Sequence, residues 1–156
     1  MELGYGISMD NLVPLYKRHV DGAGDVGHAD AAVQVLATRS GVSLGQVLYG
    51  PHSFGSFLSA RSKGAAIGFP SAQSPPPGSA LRYFRGAYTT VHYTQHYADV
   101  SATQLELPYK WRSRDATVLQ MYAAYLADAI SDFVHAWLIR SPTAKDDDAL
   151  TGKSVL

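Results

Sequence analysis

Cysteine is absent from the 156 residues of this chain. That absence excludes a disulfide framework, a thiolate zinc finger and a catalytic thiol. There is no excess of charge either, since 13 Lys+Arg balance 13 Asp+Glu. A neutral chain lacks the basic field that non-specific binding to nucleic acid or to an anionic membrane requires. Long apolar runs are missing as well. The most apolar stretch, 115–139, carries Asp128, Asp132 and His135 and does not read as a transmembrane span. The opening M-E-L-G-Y-G-I-S has no basic region followed by an apolar core, so it does not read as a signal peptide. Cytoplasmic placement, with neither nucleic acid nor membrane as partner, is the expectation. What is present is enough for a core: 46% hydrophobic against 17% charged residues excludes global disorder. A chain of this length fits one domain, which buries roughly 70% of its unfolded surface.

Periodicity predicts helices over 7–20, 28–38, 43–49 and from Ser53 onward, with Ser8 or Asp10 as cap of the first and Pro14 near its first turn. Strands are predicted at 65–69, 81–84 and 101–107, the last ended by Pro108. The clearest element runs from Asp115, where Val118, Tyr122, Leu126, Ile130 and Phe133 recur at helical spacing. An element of that length is expected to pack across a sheet. Residues 71–79, with three consecutive prolines, read as an extended loop. The division expected is one incomplete domain over 1–140 and a disordered tail over 141–156. Mixed helices and strands give an α/β expectation, a sheet short of strands on its N-terminal side.

Four constellations bear chemistry-capable residues. His92 and His96 are spaced H-x3-H, which places both imidazoles on one face of a helix as a workable zinc pair. The surrounding T-T-V-H-Y-T-Q-H-Y is equally rich in β-branched and aromatic residues, so a strand bearing packed or surface histidines fits too. Glu106 shares a strand face with Gln104, and its position near a buried strand end suits a general base, a metal ligand or an ion pair with Lys110 or Arg112. Arg82 and Arg85 flank aromatics, where an arginine can take a carboxylate in bidentate fashion or simply lie in solvent at a turn. Ser53, in G-P-H-S-F-G, fits a helix cap better than a nucleophile, because no G-x-S-x-G elbow surrounds it.

Several segments together resemble the N-formylglutamate amidohydrolase family. They are F-R-G-A-Y-T-T-V-H-Y-T, with Phe84, Gly86, Tyr88, Thr90, His92 and Tyr93, and V-S-A-T-Q-L-E-L, with Val100, Ala102, Gln104, Leu105 and Glu106. E-L-G-Y-G-I-S at 2–8, G-P-H-S-F-G-S-F-L from Gly50 and F-P-S-A-Q from Phe69 are similar to a branch of the same family. Val91 stands where the family carries an arginine, and Ala87 where it carries a second glycine.

The resemblance implies a zinc-carboxypeptidase-like fold, a mixed sheet flanked by helices, represented here by the family's C-terminal portion and truncated ahead of its zinc-ligand segment. It implies zinc-dependent hydrolysis of an amide in an acyl amino acid or short peptide, with Glu106 as general base. His92 would line the substrate site beside Gln104, and Arg85 is the chemical candidate for anion binding. Zinc held by this chain alone would need ligands from His92, His96, His28 and His52, with His19 and His135 on presumed helix faces. The other expectation is a non-catalytic remnant serving as a structural or protein-binding subunit. A homo-oligomer or protein partner would then cover its open sheet edge.

Overall fold

The computed structural model describes residues 2–23, 31–66, 68–74, 86, 88–97, 99–107, 111–112 and 115–139. In chain order these form β1 (Glu2–Gly4), α1 (Met9–Val20), α2 (Gln34–Ser40), α3 (Leu44–Tyr49), α4 (Phe54–Arg61), α5 (Tyr88–His96), β2 (Gln104–Glu106) and α6 (Ala116–Val134). His135–Ile139 continue α6 as a wider π-type turn.

Side-chain chemistry explains the helix boundaries. The Ser43 hydroxyl accepts the Gln46 amide at 3.0 Å and starts α3. The Asp115 carboxylate accepts the Thr117 amide at 2.8 Å and starts α6. Each satisfies an amide that the first turn would leave without a partner. α2 stops at Gly41, whose φ of 67° is the left-handed conformation that costs a glycine least. Pro14 lies inside α1 rather than in its first turn. Ser8 occupies the cap position of α1 without a side-chain bond.

The core gathers Leu3, Tyr5 and Ile7 from the N-terminal segment with Leu12 and Leu15 of α1 and Leu44, Val47, Leu48 and Tyr49 of α3. Tyr49 ties two helices: its hydroxyl donates to the Leu12 carbonyl at 3.3 Å, and its ring meets Tyr16 edge-on at 5.1 Å. α6 packs against α4 and turns one stripe, Tyr122, Tyr125, Leu126, Ala129 and Phe133, to the core. Phe54 meets Phe133 edge-on at 5.7 Å, and the Trp137 indole N–H donates to the His52 carbonyl at 2.8 Å. Arg61 clamps Asp132 with two bonds, of 2.5 and 2.6 Å. That bidentate bond holds the Asp132 carboxyl below its ordinary range and raises the guanidinium above its own.

This architecture corrects the fold expectation. The described residues are mostly helical, and their one sheet has two antiparallel strands, so neither a mixed sheet flanked by helices nor a zinc-carboxypeptidase-like α/β fold is present in them. Three local preferences were overridden. The β-branched and aromatic run 88–96 forms a helix. Ala65 and Ala66 belong to the turn closing α4, which the Ser62 hydroxyl holds by accepting the Ala66 amide at 2.8 Å. α6 packs on a helix, not across a sheet. The predicted strand 81–84 and tail 141–156 lie outside the described residues, as do 75–79 of the proline loop. Among the described residues no helix is long and apolar enough to cross a membrane.

Candidate functional site around β1

β1 is the meeting point of the segments that carry the family resemblance. It pairs with β2 in the register Glu2↔Glu106, Leu3↔Leu105 and Gly4↔Gln104. The Leu3 amide turns the other way and donates to the Phe69 carbonyl at 2.7 Å. In an antiparallel ladder such alternation makes Leu3↔Leu105 a non-hydrogen-bonded pair, so β1 has backbone neighbours on both edges. Ala32 donates its amide to the Tyr5 carbonyl at 2.7 Å, and Ala102 donates to Ala32 at 2.9 Å, which anchors the approach to β2.

Two glycine contacts complete the gathering. A methyl group at Gly86 would lie 2.6 Å from Thr90 Oγ1 and 3.4 Å from the Gly4 carbonyl oxygen. Gly86 also holds φ at +105°, a conformation that L side chains rarely adopt. The start of α5 is thereby seated against the Gly4–Gln104 end of the ladder. A methyl at Gly55 would lie 2.3 Å from the Pro70 carbonyl oxygen, and one at Gly68 would lie 2.7 Å from Gly55 Cα. G-P-H-S-F-G and F-P-S thus pack backbone to backbone.

Buried serines hold this second contact. The Ser56 hydroxyl donates to the Gly50 carbonyl at 3.0 Å and accepts from Ser53 Oγ at 2.8 Å and from the Ala72 amide at 3.1 Å. One donor and two acceptor positions are then filled. Ser53 is fully buried and caps α4 by accepting the Ser56 amide at 3.2 Å, which matches a cap and not a nucleophile.

The named site residues fall as follows. Glu106 is exposed at the end of β2, with Leu105 and Leu107 turned into the core and Gln104 half-buried. The expected burial cost at Glu106 is therefore absent. Its carboxylate is in neither of the ion pairs among the described residues, Arg39–Asp99 and Arg61–Asp132. Gln104 lies two residues back, about 7 Å along the strand and on the same face. His92 lies on α5, two residues beyond Thr90. Arg82, Arg85, Lys110 and His28 lie outside the described residues. Thr90, one of the residues that carry the resemblance, is buried at 1% exposure beside Gly86. Trp111 carries no motif signal in the sequence; it is buried, stacked on Tyr122 at 3.7 Å, and its indole N–H has no partner among the described residues.

A catalytic zinc takes three protein ligands. Among the described residues no three His, Cys, Asp or Glu side chains come together. His52 stacks on Phe57, and His19 packs near Tyr49. His92 and His96 are neighbours, but two ligands fall short of the three a catalytic zinc takes, so the described donor set does not fit one.

Comparison with family models, with curated proteins and with solved structures finds no match to this chain.

Proposed function

We propose that the chain acts in amide hydrolysis of the N-formylglutamate amidohydrolase type, on an acyl amino acid or short peptide. The observation that supports this most is the gathering around β1. Residues 2–4, Gly55, 68–71, Gly86, Thr90 and 104–106 are scattered over a hundred positions, yet they are linked there by backbone and glycine contacts. The reading rests on this local arrangement and not on the overall architecture.

In this reading Glu106 is the general base. Its carboxylate takes a proton from water while the water oxygen bonds to the amide carbon. The C–N bond then breaks, and the amine leaves with the proton that Glu106 returns. Exposure leaves the carboxylate open to water. Gln104 offers an amide donor from the same strand face, and His92 lines the α5 side. Such proton transfer contributes about 10²–10⁴-fold to a rate.

The test is release of free amine from N-formyl, N-acetyl and longer N-acyl amino acids by the natively expressed protein. Saturable release supports the reading, and none across the panel refutes it.

The second reading, a protein-binding subunit, is favoured by one observation. Leu119, Ile130 and Val134 share an exposed face of α6, followed by Leu138 and Ile139 at 68% and 71% exposure. A stable complex from the native source, combined with no hydrolysis, would select it.

A further inference from the structure

The same α5 carries a cluster of rings that the hydrolase reading leaves largely unused. Tyr88 stacks on His92 at 5.2 Å, and His92 stacks on His96 at 4.5 Å, so three rings spaced four residues apart form a ladder along one face. Tyr93 and Tyr97 approach His92 edge-on at 5.6 and 6.3 Å. Tyr88, Tyr93 and Tyr97 are exposed, as is His96, while His92 is half-buried between them.

We propose that His92 and His96 form a surface site for a divalent transition metal, with Cu(II) the preferred ion. The first argument is the state of the ring nitrogens. His96 Nδ1 lies 3.1 Å from the His92 carbonyl oxygen. A carbonyl only accepts, so that bond places the hydrogen on Nδ1, and a neutral ring then carries its lone pair on Nε2. His92 Nδ1 lies 3.2 Å from the Tyr88 hydroxyl, which can accept in the same way. In both rings the inner nitrogen is occupied by a polar group of the protein. A ligating histidine is commonly held in this way, its second nitrogen bonded to an oxygen that fixes tautomer and orientation.

The second argument is spacing. Residues four apart on a helix have Cβ atoms about 5–6 Å from one another, and one ion can be reached by both imidazoles. The rings lie at an interplanar angle of 24°. Lone pairs lie in the ring planes, so here they run nearly parallel. An ion bound here would sit about 2.0–2.1 Å from each Nε2, and the exposed His96 ring, whose Cβ–Cγ torsion is broad, is the one that would adjust to it while keeping its Nδ1 bond.

The third argument is the donor set. Two imidazoles completed by water fall short of a catalytic zinc centre but suit the tetragonal geometry of Cu(II). Cu(II) also stands highest in affinity among the first-row divalent ions for a given nitrogen site. The proposal shares His92 with the hydrolase reading but needs no turnover, so ion binding and hydrolysis are read by separate measurements.

The experiment titrates Cu(II), then Ni(II) and Zn(II), into the full chain near neutral pH, following heat, electron spin resonance and thermal stability. Expected are one tight Cu(II) equivalent with hyperfine splitting from two nitrogens, a rise in Tm, and weaker binding of Ni(II) and Zn(II). His92→Gln and His96→Gln should each lower Cu(II) affinity by at least about 10–100-fold, the loss that follows when even a partner behind a ligand is removed. Adding Thr94→His to the His96→Gln variant should not restore it, since positions two apart do not face each other on a helix. Circular dichroism of the metal-free variants checks that α5 is intact. Unchanged Cu(II) affinity in the double variant, a one-nitrogen spectrum, or full rescue by Thr94→His would overturn the proposal.

Discussion

Replacing Gly55 by alanine sets two effects of opposite sign against each other. Gly55 is the second residue of α4, and alanine is favoured over glycine inside a helix by about 1 kcal/mol. Local propensity alone therefore predicts stabilisation. The new methyl, however, would lie 2.3 Å from the Pro70 carbonyl oxygen and 2.8 Å from Ser71 Cβ. An ordinary contact is at least 3.4 Å, so the backbone at 70–71 must retreat by about 1 Å. Pro70 and Ser71 are buried, and their neighbour Phe69 is bonded to β1, so the retreat disturbs the ladder as well. Overpacking of a fixed site costs about 1–3 kcal/mol, and more where backbone must move. Here backbone must move, so the cost is about 2–3 kcal/mol, and subtracting the propensity gain leaves a net loss of about 1–2 kcal/mol. For a chain of this length that lowers Tm by roughly 3–8 °C. Urea unfolding followed by far-UV circular dichroism measures it. A Gly55→Ala variant equal to or more stable than the parent would refute the close packing of 50–55 on 68–71.

Other predictions follow from single contacts. Ser53→Ala removes the α4 cap and the donor to Ser56 Oγ in a fully buried position, and should cost about 1–2 kcal/mol in the same assay. Asp132→Asn tests the clamp by Arg61. The folded-state carboxyl is held below its ordinary range, so its contribution is present above the unfolded pKa and is lost as pH falls through the folded one. The variant should be slightly less stable than the parent at neutral pH, because solvent screens the pair. The gap should close below about pH 4, near the ordinary carboxylate value; a gap that widens in acid would contradict this.

Helix starts were the most legible part of the chain. Ser43, Ser53 and Asp115 each precede a helix and each bonds a first-turn amide, and that chemistry depends only on residues two or three positions away. The strands were less legible because their partners are remote. β1 is three residues long and exists through pairing with residues a hundred positions away, so E-L-G alone gives no periodicity to read. The run 88–96 was ambiguous for a different reason. H-x3-H puts both histidines on one face of a strand or a helix alike, and β-branched neighbours favoured the strand. The contact of Gly86 with Thr90, one turn into α5, belongs to the helix. At the candidate site, the shared face of Gln104 and Glu106 was readable from strand alternation. The exposure of Glu106 was not, because it depends on where β2 sits relative to the core. The seat formed by Gly4, Gly86 and Thr90 needed the fold.

The central claim is that Glu106 performs the proton transfer of an amide hydrolysis. It is tested most directly by kcat and Tm measured side by side for the parent and Glu106→Gln, on the best substrate of the acyl-amino-acid panel. Because Glu106 is exposed and outside the ion pairs, the account predicts an unchanged Tm with kcat lower by about 10²–10⁴-fold. Full hydrolysis by Glu106→Gln at unchanged Tm would contradict it.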